Sequence, residues 1–142
     1  MSETAANDSS APLLDHLILR VADTQTSLRF YREVLGFERD RNASCAIRIN
    51  AHCIVDLLQQ SAPERQHLAF AFDRRGFDQV LARLRERGLA YGGAPFARDG
   101  NADALAHGAR GWARSLYFYD PDGHNLELRC YTEAASAAGA QA

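Results

Sequence analysis

At 142 residues, with 46% hydrophobic and 24% charged residues, the chain is long enough to bury one core and has the balance of an ordinary globular domain. A formal net charge of −2 with 16 dispersed basic residues excludes the electrostatic footprint of a nucleic-acid or anionic-membrane partner. No apolar run approaches the roughly 18 residues of a membrane span, and the opening MSETAANDSSAP lacks the basic and apolar regions of a signal peptide.

Residues 1–12 and the small, polar stretch 132–142 read as flexible tails flanking a single domain over 13–131, with one module at about 13–60 and a second at about 64–131. Alternating apolar residues after His16 predict a first strand; Asp23 then caps a helix whose Leu28, Tyr31, Val34 and Leu35 share one face, and Gly36 ends it. Short strands are expected at about 37–42, 45–50 and 52–59. The three cysteines passed along the way (Cys45, Cys53 and, near the end, Cys130) have no Cys-x-x-Cys spacing, which predicts reduced thiols in a cytoplasm rather than a disulfide framework or a zinc knuckle.

The pattern then repeats. QHLAFAFDRRGFDQVLARLRERGL (66–89) parallels DHLILRVADTQTSLRFYREVLGF (15–37): each has a histidine, an alternating strand, an aspartate, an amphipathic helix and a glycine. Asp73 is the second cap candidate, Phe77, Val80, Leu81 and Leu84 the second apolar face, and Gly88 the second stop. The alternating charges of RLRER (83–87) suit a solvated helix face. Strands near 94–98, 113–119 and 124–131 follow, with 99–112 a loop-like insertion and DPDG (120–123) a turn. The chain therefore reads β-α-β-β-β twice, two modules side by side.

Parity divides each strand into two faces. Leu17, Leu19 and Val21, then Leu68, Phe70 and Phe72, face the helices; His16, His67, Glu127 and Tyr117 fall on the other faces, with small Ala69 and Ala71 leaving room beside His67. Two imidazoles and a carboxylate are the donor set that holds Fe(II), Mn(II), Zn(II) or Ni(II) with open coordination positions. Taken singly, each of these residues also suits a satisfied core position or a solvated edge; their equivalent places in the repeat single them out.

LDHLILRVADTQTSLRFYREVLGF and LYFYDPDGHNLEL resemble the opening and closing motifs of the vicinal oxygen chelate superfamily, which contains glyoxalases, bleomycin-resistance proteins, fosfomycin-resistance proteins and extradiol dioxygenases. The resemblance spans roughly 13–131. It implies an α+β fold, two tandem βαβββ modules curling a mixed sheet into a cup around a divalent metal, with His16, His67 and Glu127 at the ligand positions. Leu116–Tyr117, Asp120–Pro121, Gly123 and Glu127 match the extradiol signature, although eight residues separate His107 from Leu116 where that signature has five to seven. Glyoxalase-type enzymes add a fourth carboxylate ligand late in the first module, where Asp56 stands. Fosfomycin thiol transferases carry a threonine where Ile18 stands and a cation loop that this chain lacks.

What the resemblance implies for function is a metal-dependent enzyme, with Fe(II) or Mn(II) favoured over Zn(II) or Ni(II), acting on a small molecule that chelates through adjacent oxygens. The leading expectation is a small extradiol-type dioxygenase in which Tyr117 donates to a developing oxyanion and His107 or His124 moves the proton, although the place of His124 in DPDGH suits a turn marker rather than catalysis. Two alternatives stand beside it: a glyoxalase-type isomerase or lyase, and a metal-free, bleomycin-resistance-like binding protein whose cup is lined by Trp112, Tyr117, Tyr119 and Phe96. The resemblance also implies a homodimer whose cups draw strands from both chains.

Overall fold

The computed structural model describes residues 10–131; residues 1–9 and 132–142, where most of the two expected tails fall, lie outside that range. The element order is β1 (His16–Val21), α1 (Thr24–Glu33), β2 (Glu38–Arg39), β3 (Ala46–Arg48), β4 (Ile54–Gln59), β5 (His67–Ala71), α2 (Arg74–Glu86), β6 (Tyr91–Gly92), β7 (Leu105–Gly108), β8 (Gly111–Tyr119) and β9 (Asn125–Cys130). The fold is α+β, two β-α-β modules each with its own curled sheet. One sheet runs β1-β4-β3-β2; the other runs β5-β9-β8-β6, with β7 paired to β8. In both modules the first and last strands pair in parallel and the remaining pairs are antiparallel, so the sequence repeat is a repeat of topology.

Local chemistry sets the helix ends. The carboxylate of Asp23 accepts from the backbone N–H of Thr26 at 2.8 Å, and that of Asp73 from Gly76 at 2.7 Å, so both aspartates cap as expected. Gly36 and Gly88 take φ of 78° and 63°, left-handed values that a glycine adopts without steric cost. Leu28, Tyr31, Val34 and Leu35 from α1 and its last turn, and Phe77, Val80, Leu81 and Leu84 from α2, are all buried. Fully burying one such side chain contributes about 1.5–3 kcal/mol of transfer free energy. The modules share one core: Phe37 meets Phe70 and Phe72 at ring-centroid distances of 5.2 and 5.9 Å, and Phe30 lies 6.4 Å from Phe118.

Three segments depart from the sequence expectation. The strand expected at 94–98 is a turn closed by the Ala97 N–H on the Ala94 carbonyl. Pro95 has no N–H for a ladder, and pairing shifts to Tyr91–Gly92 against β8. Residues 99–112 are not a simple loop, because Leu105–Gly108 folds back on β8 as β7. In the first module, β2 and β3 hold two and three residues, shorter than predicted.

Candidate functional site

Burial follows the parity division on β1 and β5, whereas residues 115–118 of β8 and 126–130 of β9 are buried on both faces. On β1, His16, Ile18 and Arg20 are exposed while Leu19 and Val21 are buried; on β5, His67, Ala69 and Ala71 are exposed while Phe70 is buried. On the second sheet, direct pairing aligns Ala69, Glu127 and Tyr117 in one row and Ala71, Arg129 and Ser115 in the next. His67 stands one row away, opposite Asn125. This open face borders a cavity of about 380 Å³, within the range of small-molecule sites, lined among others by His67, Ala69, Glu127 and Arg129.

His67 Nε2 lies 3.6 Å from Glu127 Oε1, and the His67 ring stacks on Tyr117 with a 6.3 Å centroid distance and a 22° tilt. His67 Nδ1 lies 2.9 Å from the Asn125 carbonyl oxygen. A carbonyl only accepts, so Nδ1 is the nitrogen that donates in this bond, and Nε2 is the one left facing Glu127. His16 repeats the arrangement: its Nδ1 is 2.7 Å from the Asp15 carboxylate, which again leaves Nε2 as the free donor atom. The same hydrogen bond to Asp15 raises the His16 pKa, with a lesser contribution from the charge of Asp56. Histidine ligands ordinarily have their second nitrogen anchored in this way by a carboxylate or a carbonyl. Burial, then the hydrogen bond and charge of Glu127, push the Tyr117 phenol up to about 12, so it keeps its proton at neutral pH.

The remaining candidates are distributed differently. Among the described residues, His16, His67 and Glu127 do not form one group whose donor atoms all lie within 4.8 Å of one another, although His67 and Glu127 do lie that close. Asp56 pairs with Ile18 and Ala46, on the same face as His16. His107 pairs with Trp112, its ring edge-on at 5.6 Å, and His107 is among the residues lining the cavity. Phe96 is 86% exposed in the 94–97 turn. His124 is fully buried, with both ring nitrogens committed: Nδ1 accepts from the Gln66 N–H at 2.9 Å and Nε2 donates to the Arg20 carbonyl at 2.8 Å. Neither nitrogen is free to exchange a proton with a substrate.

The sequence reading gave His124 no structural partner, and here it spans from β1 to the residue before β5. It belongs to a junction with Asp120 and Asp122, whose donor atoms lie within 4.8 Å of one another. Asp120 accepts from the Tyr31 hydroxyl at 2.7 Å and from two backbone N–H groups of its own turn; Asp122 accepts from the Ala22 N–H at 3.0 Å. These bonds satisfy the cluster internally and pin the DPDGH turn onto the first module. Arg129 was also overlooked. It forms a 2.6 Å ion pair with Glu127 Oε2, and its place on the cavity-side parity of the last strand was the available signal.

Two β-α-β modules, each curling its own sheet, with a histidine at the start of each first strand and Glu127 on the last, define a two-module α+β protein. The chain belongs to the Glyoxalase/Bleomycin resistance protein/Dioxygenase superfamily, whose model matches residues 13–128. It is 31% identical over 129 residues to Virulence protein STM3117 of Salmonella typhimurium, covering 83% of each chain. It is 29% identical over 134 residues to Glutathione transferase FosA of Serratia marcescens, covering 88% of this chain and 85% of that one. The solved structure of Oxidase ChaP-H2 superposes with a TM-score of 0.72 at 31% identity, over 88% of this chain and 98% of that one.

Proposed function

We propose that this protein is a divalent-metal-dependent enzyme acting on a small substrate that chelates through adjacent oxygens, most like a small extradiol-type dioxygenase. The observation that carries the reading is the placement of the ring nitrogens: His16 and His67 each have Nδ1 within hydrogen-bond distance of an oxygen and Nε2 on the other side, and Glu127 Oε1 stands beside the second of them. His16, His67 and Glu127 would hold the ion. Fe(II) or Mn(II) bound there would supply open positions for a chelating substrate and dioxygen. Tyr117, protonated and stacked on His67, would donate to a developing oxyanion on giving up its hydrogen bond to Glu127, and Ala69 and Ala71 leave space for a small ring. Likeness to an oxidase at 31% identity supports oxygen chemistry. The FosA likeness points to thiol transfer, but Ile18 and the missing cation loop count against it here.

That His16, His67 and Glu127 do not gather within 4.8 Å of one another supports a cup completed across a two-fold homodimer, His16 of one chain joining His67 and Glu127 of the other. Asp56, on the His16 face, supports a second reading, a four-ligand glyoxalase-type isomerase or lyase using Zn(II) or Ni(II). Three unpaired thiols suit a reducing cytoplasm, and no helix is long and apolar enough to cross a membrane.

Metal analysis of protein purified without chelators, followed by oxygen-uptake assays on catechols after loading with Fe(II), Mn(II), Zn(II) or Ni(II), tests these alternatives. One ion per site with oxygen uptake in the Fe(II) or Mn(II) form is the expected result, and His67→Ala and Glu127→Ala should each lose the ion while staying folded. Tight Zn(II) or Ni(II) binding without oxygen uptake favours the isomerase. Wild-type protein that binds none of the four ions refutes the enzyme reading.

A further inference from the structure

Arg129 is an arginine with nothing left to offer a ligand. Its Nε donates to the Tyr131 hydroxyl at 2.9 Å; Nη1 donates to Glu127 Oε2 at 2.6 Å and to Ser115 Oγ at 3.2 Å; Nη2 donates to the carbonyls of Ala106 at 2.8 Å and Gly111 at 3.1 Å. All five guanidinium N–H groups are used, in a side chain only 8% exposed. The contacts tie β9 to both arms of the β7–β8 hairpin, at the cavity wall. Gly108 makes room for them, since a Cβ there would overlap the guanidinium carbon. A lysine has three donors and no planar fork, so it could not make this set.

For Glu127 the consequence is orientation. One carboxylate oxygen is occupied by the guanidinium, the other faces His67 Nε2 at 3.6 Å, and the Tyr117 hydroxyl also hydrogen-bonds the carboxylate. Burying a carboxylate this deeply is unfavourable without such a partner.

We infer that Arg129 is the positioning residue of the metal centre: it turns Glu127 so that Oε1 alone is offered to the ion, a one-oxygen carboxylate ligand held from the β7–β8 hairpin. This rests on the metal reading above. It also gives the hairpin a direct connection to the proposed ligand set.

Co(II) serves as the probe, read by equilibrium binding and by its visible ligand-field absorption, with near-ultraviolet circular dichroism as the check of fold. Arg129→Lys keeps the charge and loses the fork; Gly108→Ala keeps Arg129 and forces the guanidinium to move. Both should weaken Co(II) binding about 10- to 100-fold, as losses of partners behind metal ligands do, and both should change the absorption spectrum. Variants that bind as tightly as wild type, or more weakly with an unchanged spectrum, overturn the inference and leave Arg129 a structural residue. Should both variants fail to fold, the infrared carboxylate splitting of the wild-type Co(II) protein decides: a two-oxygen signature overturns the proposal, a one-oxygen signature upholds it. Wild-type protein that binds no Co(II) removes the metal reading itself, an outcome distinct from either variant result.

Discussion

Replacing His124 with phenylalanine separates a proton carrier from a clamp. Phenylalanine keeps the planar ring in a fully buried site but leaves the Gln66 N–H and the Arg20 carbonyl without partners. Each stranded backbone group costs about 1–3 kcal/mol when buried. Both partners here are only part-buried, so the lower half of that range applies and the sum is about 2–4 kcal/mol. For a domain of this size that is a fall in melting temperature of roughly 6–15 °C. Because the two bonds join β1, which carries His16, to the residue preceding His67, metal affinity should fall together with stability. Thermal melts by circular dichroism and a metal titration of the same sample measure both. A variant that melts within about 2 °C of wild type and binds metal normally, yet has lost turnover, would show the reasoning to be wrong and return His124 to proton transfer.

Asp40 governs an acid limb of stability. Its hydrogen bond from Arg48, followed by those from the Asn42 and Ala43 backbone, lowers its pKa below the ordinary 3.8. A carboxylate whose folded-state pKa is depressed stabilises the protein above its unfolded pKa, and that contribution is lost as pH falls through the folded value. Asp40→Asn should therefore destabilise the protein at pH 7 and flatten the decline of melting temperature below pH 4. An unchanged acid slope would contradict the assignment. Dimer sharing is tested by exchanging chains between inactive His16→Ala and inactive Glu127→Ala proteins: a mixed dimer should regain one intact cup of its two. A monomer by light scattering at micromolar concentration eliminates the shared cup, and a dimer without complementation places all three ligands in one chain.

The parts of this site that were legible in the sequence are those governed by short-range periodicity. Alternation along β1 and β5 placed His16 and His67 on the open faces, and the helix caps Asp23 and Asp73 followed from residue type and spacing. β7 was not legible, because Leu105–Gly108 is rich in small residues with little strand preference of their own. Its pairing is supported from a distance, by Arg129 on the Ala106 carbonyl and by Arg114 on the Ala102 carbonyl at 2.6 Å. Arg129 itself looked like one more charged residue near the end of a strand; only counting its donors in three dimensions reveals a buried, fully committed cation.

The two histidine-bearing strands raise a structural problem that local pattern could not express. β1 and β5 are each the edge of their own sheet, and no ladder joins them. An unpaired edge leaves relative position to be set by something other than backbone pairing. In this chain the DPDGH turn takes that role: His124 bonds to the Arg20 carbonyl and the Gln66 N–H, Asp122 to the Ala22 N–H, and Asp120 to the Tyr31 hydroxyl. Residues that look like a surface turn thus hold the two modules in register from behind the open face. Glu127 follows three residues later on β9, so the segment that aligns the modules also delivers the carboxylate. Changes at the turn should disturb metal binding without touching a ligand.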